Sequence, residues 1–245
     1  MRYFLYWVSF IFLFNAAELH ATIMPLQDRV LFSSKDSGRR LLIVNNDSQA
    51  PVLLQSWVDD GSAGDINKEK NYPFAIIPAV ARMTPGKILN LKILPTEKIL
   101  DLPRDRESVF WINLYEIPGV KSSQQEKTAN KIEVGLNTQL RITYRPFNSS
   151  MDINRIGGAI NVRIADNGHS LELSNPTPYF VTPVSLKVTS LAGEQSLKLG
   201  MDRMIAPYDN KGFSLPEVIK NKKMTVEYTL VDDVGKEAVF TKNLN

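Results

Sequence analysis

The chain has 245 residues, 43% hydrophobic and 22% charged, values that exclude a disordered tail, a collagen-like repeat and a polytopic membrane protein. Its 29 basic and 26 acidic residues leave a net charge of +3 with no long Lys/Arg block, so no nucleic-acid partner is implied. Cysteine is absent, which removes thiol nucleophiles, Cys-ligated zinc, iron–sulfur clusters and disulfides together.

At the start, Arg2 precedes an apolar run from Tyr3 to Phe14, then small residues and Leu19-His20-Ala21. This is the pattern of a secretory signal peptide over residues 1–21, cleaved after Ala21. The run is shorter than the roughly 20 residues a helix needs to cross a bilayer, and no second such stretch follows, so no membrane span is expected after cleavage. His169 is then the one remaining histidine.

Beyond the leader, short apolar runs alternate with Asn, Asp, Gly, Ser and Pro, and no long segment keeps a helical spacing. The pattern predicts an all-β chain. Strands are expected at Arg40–Val44, Pro51–Val58, Ile88–Ile93, Ser108–Glu116, Lys131–Tyr144, Ile160–Ile164, Ser185–Leu191 and Met224–Val231. In the last, Val226, Tyr228 and Leu230 share one face. A short helical turn is expected near Leu215–Asn221, where Pro216 suits a first turn. Tyr144-Arg145-Pro146 followed by polar residues marks a boundary. Two sandwiches then result, residues 22–147 and 148–245, each near immunoglobulin-domain size. A single larger β domain is the alternative.

Catalytic and metal signatures are missing: there is no G-x-S-x-G, no Walker loop, no H-E-x-x-H and no Gly-rich turn opening a helix. No cofactor is expected, and the chain does not read as an enzyme. His169, in Asn167-Gly168-His169-Ser170, reads as a turn histidine. Asp59-Asp60 and Asp232-Asp233 read as strand-end turn acids, because adjacent strand positions face opposite ways; with Gly61 and Asp65 the first pair only loosely suggests a calcium loop. Trp57 and Trp111 lie inside strand runs, where core packing is expected. Lys131 to Asn137 alternates strictly and puts Ile132, Val134 and Leu136 on one face. Any half-buried strand would do so, but this one follows the polar stretch Lys121–Asn130. An apolar strand left exposed invites pairing with another chain, whether a partner or, when free, a second copy.

The chain resembles the periplasmic pilus chaperones of bacteria with two membranes. The resemblance rests on Arg29-Val30-Leu31-Phe32, on Gln55 to Asp60, and above all on Leu102-Pro103-Arg104-Asp105-Arg106-Glu107-Ser108-Val109-Phe110-Trp111. It continues through Glu116-Ile117-Pro118, Tyr144-Arg145-Pro146 and Asn175-Pro176-Thr177-Pro178-Tyr179-Phe180. It implies two immunoglobulin-like domains at an angle, with a cleft that binds pilus subunits for delivery to an outer-membrane usher. It also implies a periplasmic location and strand donation into the subunit through Ile132, Val134 and Leu136. Arg29 and Arg141 match two basic residues that anchor the subunit's terminal carboxylate, although the second position is commonly Lys in the family. Glu107, Arg145 and Asp233 match a charge network between the domains. The short stretch after Pro118 resembles the short-loop subclass. Relatives often carry two consecutive prolines where this chain has Ile77-Pro78-Ala79, so no cis-proline geometry is carried over. The runner-up is an exported immunoglobulin-like adhesin or carbohydrate-binding module. A hydrolase built on His169 is a distant third.

Overall fold

The computed structural model describes residues 23–46, 51–62, 70–119, 135–191, 193–219 and 223–244. The leader over 1–21 and two of the three alternating residues, Ile132 and Val134, lie outside the described residues.

Among the described residues, nine strands build the first half: β1 (Ile23–Pro25), β2 (Arg29–Ser33), β3 (Arg39–Asn45), β4 (Val52–Asp59), β5 (Phe74–Ile77), β6 (Val80–Met83), β7 (Ile88–Pro95), β8 (Ser108–Pro118) and β9 (Leu136–Arg145). They form two sheets, in the orders β1-β3-β7-β5 and β2-β9-β8-β4-β6. Leu41 and Ile43 of β3, Leu54 of β4, Leu91 and Ile93 of β7, and Ile112 and Leu114 of β8 fill the space between the sheets. Each alternates with outward residues, so the period of two in the sequence becomes the inside and outside of a sandwich. Each fully buried aliphatic side chain contributes roughly 1.5–3 kcal/mol.

Among the described residues, the second half contains one short α-helix, α1 (Ile153–Ala159), and seven strands: β10 (Asn161–Ala165), β11 (Ser170–Ser174), β12 (Pro183–Ser190), β13 (Gly193–Ser196), β14 (Asn210–Ser214), β15 (Met224–Val231) and β16 (Glu237–Leu244). Its sheets run β10-β11-β14 and β13-β12-β15-β16. Val226, Tyr228 and Leu230 are fully buried in a second, separate core with Ile160, Leu171, Leu173 and Val188. Two cores with no shared residue make this a two-domain, mostly β molecule. Phe147 packs edge-on against Tyr179 at 5.3 Å and belongs to the second core.

Three expectations are corrected. No helix forms at 215–219; the amides of Leu215 and Ile219 instead donate to the carbonyls of His169 and Gly168, both at 2.9 Å, which ties the segment to the turn before β11. The helix lies at α1, where the Asp152 carboxylate caps the amides of Asn154 and Arg155. Its Gly157-Gly158 pair disguises it in the sequence, since glycine disfavours helix interiors. Gly157 is required by packing: a Cβ there would lie 2.2 Å from the Phe240 ring, and its carbonyl accepts a 2.9 Å hydrogen bond from the Tyr228 hydroxyl. Second, the Ile77–Pro78 peptide is cis despite the missing second proline. Third, Trp57 and Trp111 are not in the core. Both are half-buried and point, with Tyr115, to the face of β4 and β8 opposite Ile112 and Leu114.

Candidate functional site in the interdomain cleft

Strands β2 and β9 pair in parallel, and the register places Arg29 directly beside Arg141. Parallel pairing puts both side chains on the same sheet face, here the face toward the second domain. Pairing with β2 covers only Arg141–Arg145, while β8 pairs with Leu136–Tyr144. Among the described residues, therefore, no strand lies beside Leu136–Leu140 on the β2 side. Among the described residues, the sheet edge next to the two arginines is open.

The second domain meets this edge with the turn between β15 and β16. Asp232 closes that turn, accepting at its carboxylate the amides of Val234 and Lys236, and Gly235 supplies the positive φ of 83° it needs. The Asp232 carbonyl accepts a 2.8 Å hydrogen bond from Arg29 Nη1. The other two nitrogens of that guanidinium, Nε and Nη2, donate to Asp28 Oδ2 at 3.1 and 2.7 Å. Arg141 reaches the second domain through Nη1, which contacts Thr182 Oγ1 at 3.2 Å and Met204 Sδ at 3.3 Å. Burial first, and then the neighbouring Arg29 charge, push the Arg141 guanidinium below its usual pKa. An open groove of about 770 Å³ begins here, lined by Leu26, Asp28, Arg29, Leu140, Asp233 and Val234. Positive charge, a guanidinium with no anionic hydrogen-bond partner and an adjoining strand edge lie together here; paired guanidiniums can accept a carboxylate, and a strand edge can pair with an extended chain.

Arg145 bridges Glu107 and Asp233. Arg145 Nε donates to Glu107 Oε1 at 2.7 Å, while Nη1 and Nη2 grip both oxygens of Asp233 at 2.8 and 2.9 Å. The Arg145 and Glu107 side chains are 6% and 2% exposed. Burial pushes the Glu107 carboxyl up from its usual range despite Arg145 and the Phe180 amide. Burial pulls Arg145 down, but hydrogen bonds and charge from Asp233 and Glu107 outweigh it, and its net shift is upward.

The sequence blocks that carry the resemblance meet at this joint. The Glu107 amide donates to the Pro178 carbonyl at 2.9 Å, and Glu107 Oε2 accepts the Phe180 amide at 2.7 Å. Asn175, 1% exposed, braces the loop: its Nδ2 donates to the carbonyls of Tyr179 and Ala206, and its Oδ1 accepts from the Thr177 amide and hydroxyl. Arg145 lies 5.0 Å over the Tyr179 ring and Arg106 lies 5.1 Å over that of Tyr208.

Several participants carried no usable signal in the sequence. Asp28, Thr182, Met204 and the Asp232 carbonyl come together only through folding. Asn113 is another: its Oδ1 accepts from Asn137 and Gln139 of β9 at 2.9 and 2.8 Å, and its Nδ2 donates to Asp59 at 2.6 Å. Asp59 and Asp60 differ in role, since Asp59 is buried in that amide row and Asp60 pairs with Lys70 at 2.7 Å on the surface. His169 is exposed at the turn before β11. Among the described residues no group of His, Asp and Glu could hold a metal ion, and no helix is long and apolar enough to cross a membrane.

Residues 22–149 match a family model described as pili and flagellar-assembly chaperone, PapD N-terminal domain, and residues 158–241 match pili assembly chaperone PapD, C-terminal domain. The chain is 31% identical to the chaperone protein FimB/FhaD of Bordetella pertussis over 90% of its own length and 87% of the relative's. It is 26% identical to the chaperone protein FimC of Escherichia coli K12 over 93% and 86% of the two lengths. In fold it is similar to the crystal structure of the YadV chaperone, with a TM-score of 0.75 at 24% identity over 91% of this chain and all of that one. It is also similar to the SafB chaperone solved in complex with the Salmonella enterica SafA pilin, with a TM-score of 0.72 at 22% identity over 94% and 99%. Matches across both domains, together with the joint at which their signature blocks meet, establish that the chain belongs to the pilus-assembly chaperone family.

Proposed function

We propose that this protein is a periplasmic, non-enzymatic and ATP-independent chaperone that captures pilus subunits in its interdomain cleft and passes them to an outer-membrane usher. The observation that carries the reading is the register of β2 on β9. It sets Arg29 beside Arg141 at the point where the second edge of β9 becomes free.

The mechanism follows from that geometry. An incomplete subunit sandwich exposes both its core and an unpaired edge, and one extended strand covers both. Among the described residues, no strand pairs with Leu136–Leu140 on one side, which leaves those backbone groups for a partner. Ile132, Val134 and Leu136 share one parity and would fill the subunit groove at roughly 1.5–3 kcal/mol per buried side chain before ordering costs. Arg29 and Arg141 then fix the register by holding the terminal carboxylate. In this reading Arg141 replaces the more usual Lys, keeping the charge and adding a planar fork. Glu107, Arg145 and Asp233 hold the two domains, divided near 147, in the orientation that keeps the cleft open; such a buried network contributes orientation more than stability.

The test is periplasmic co-expression with a pilus subunit, followed by purification and mass measurement. A one-to-one complex supports the reading. Absence of a complex with every co-expressed subunit would shift weight to the adhesin alternative.

A further inference from the structure

Arg29 already holds a carboxylate. Two of its three nitrogens, Nε and Nη2, are taken by Asp28 Oδ2, and the third is taken by the Asp232 carbonyl. Its neighbour in the register, Arg141, faces instead a hydroxyl and a thioether, both at more than 3.1 Å. The two cations are therefore neutralised unequally. The Asp28 side chain is 75% exposed while that of Arg29 is 20% exposed, so the pair is anchored on the arginine side and loose on the carboxylate side.

We propose that Asp28 is an internal stand-in for the client's terminal carboxylate, which occupies the Nε/Nη2 side of Arg29 in the free chaperone and is displaced when a subunit docks. The inference rests on the carboxylate-anchor reading above and deepens it. A client carboxylate meets Arg141 first, because that guanidinium lacks an anionic partner in its hydrogen-bond contacts and is pushed off its usual pKa by burial and by Arg29. It completes the grip only by taking Nε and Nη2 from Asp28. An ion pair so exposed is worth little, so displacement is easy. The carboxylate nevertheless raises the threshold for capture, and it shields Arg29 from unspecific anions while the cleft is empty.

The test uses a synthetic strand peptide of alternating Val and Thr ending in a free carboxylate, the same peptide with a C-terminal amide, and the full-length mature protein. Affinities are measured for wild type, Asp28→Asn and Arg141→Ala, at low and high salt. Wild type should prefer the carboxylate peptide, and Asp28→Asn should enlarge that preference by about two- to fivefold, the range expected from an exposed ion pair. The gain should be largest at low salt and shrink at high salt, because the exposed ion pair being displaced is itself screened. A preference unchanged in Asp28→Asn at low salt overturns the stand-in role while leaving the anchor intact. Absence of any carboxylate preference in wild type, or a preference retained in Arg141→Ala, overturns the anchor reading itself and the inference with it.

Discussion

Removing Arg145 probes the domain joint most sharply. In Arg145→Met the side chain keeps much of its length but loses the charge, and the Glu107 carboxylate, on a side chain 2% exposed, is left with a hydrogen bond from the Phe180 amide. Breaking a buried ion pair by deleting one partner costs about 3–5 kcal/mol, because an uncompensated charge stays behind. At roughly 2–4 °C per kcal/mol for a chain of this size, Tm should fall by about 6–20 °C. Replacing all three groups, as Glu107→Gln with Arg145→Met and Asp233→Asn, should recover most of that loss, since no stranded charge remains. Thermal and urea unfolding measure both variants, and small-angle scattering reports the domain arrangement. An Arg145→Met variant within about 1 kcal/mol of wild type would refute the buried-charge reasoning, as would a triple variant no more stable than the single one.

Three other outcomes are expected. Gly157→Ala drives a Cβ into the Phe240 ring and should lower unfolding stability by about 1–2 kcal/mol net of its helix-propensity gain, whereas Gly158→Ala, with nothing within 4 Å, should be neutral or slightly stabilising; urea midpoints compare them. The Asp60 carboxyl is held well below its usual value by hydrogen bonds from Lys70 and Ser62. Its folded pKa is depressed, so the stability it contributes is present above about pH 4 and lost as pH falls through the folded value; Asp60→Asn should make the acid limb of a stability–pH curve shallower. Val134→Asp places a charge in the donated face and should prevent subunit capture in a pull-down while leaving Tm near that of wild type.

Strands that bury one face across a full sandwich were legible from alternation. Leu41 and Ile43 in β3, Val226 to Leu230 in β15, and Ile112 and Leu114 in β8 stand inside as their spacing required. Strands β5 and β6, with four residues each, are too short to show a period, and β14 has only Phe213 buried. β16 is an edge strand on which half-buried and exposed residues alternate and none is fully covered. The helix at α1 was hidden because its Gly157 answers to the Phe240 ring and the Tyr228 hydroxyl, contacts about seventy or more positions away in the chain. Trp57 and Trp111 sit on strands as expected but on the outer face, since alternation fixes which residues share a face and not which face is the core. At the cleft, Arg29, Arg141, Glu107, Arg145 and Asp233 could be named because the chain resembles a known family. Their partners Asp28, Thr182, Met204 and the Asp232 carbonyl depend on how two domains meet, and no local pattern encodes that.

The most direct test of the carboxylate anchor is periplasmic co-purification of a pilus subunit with wild type and with Arg141→Ala. The account predicts a one-to-one complex with wild type, its loss in Arg141→Ala, and a Tm little changed, because the arginine's second-domain contacts are a hydroxyl and a thioether. A complex retained in full by Arg141→Ala would contradict it.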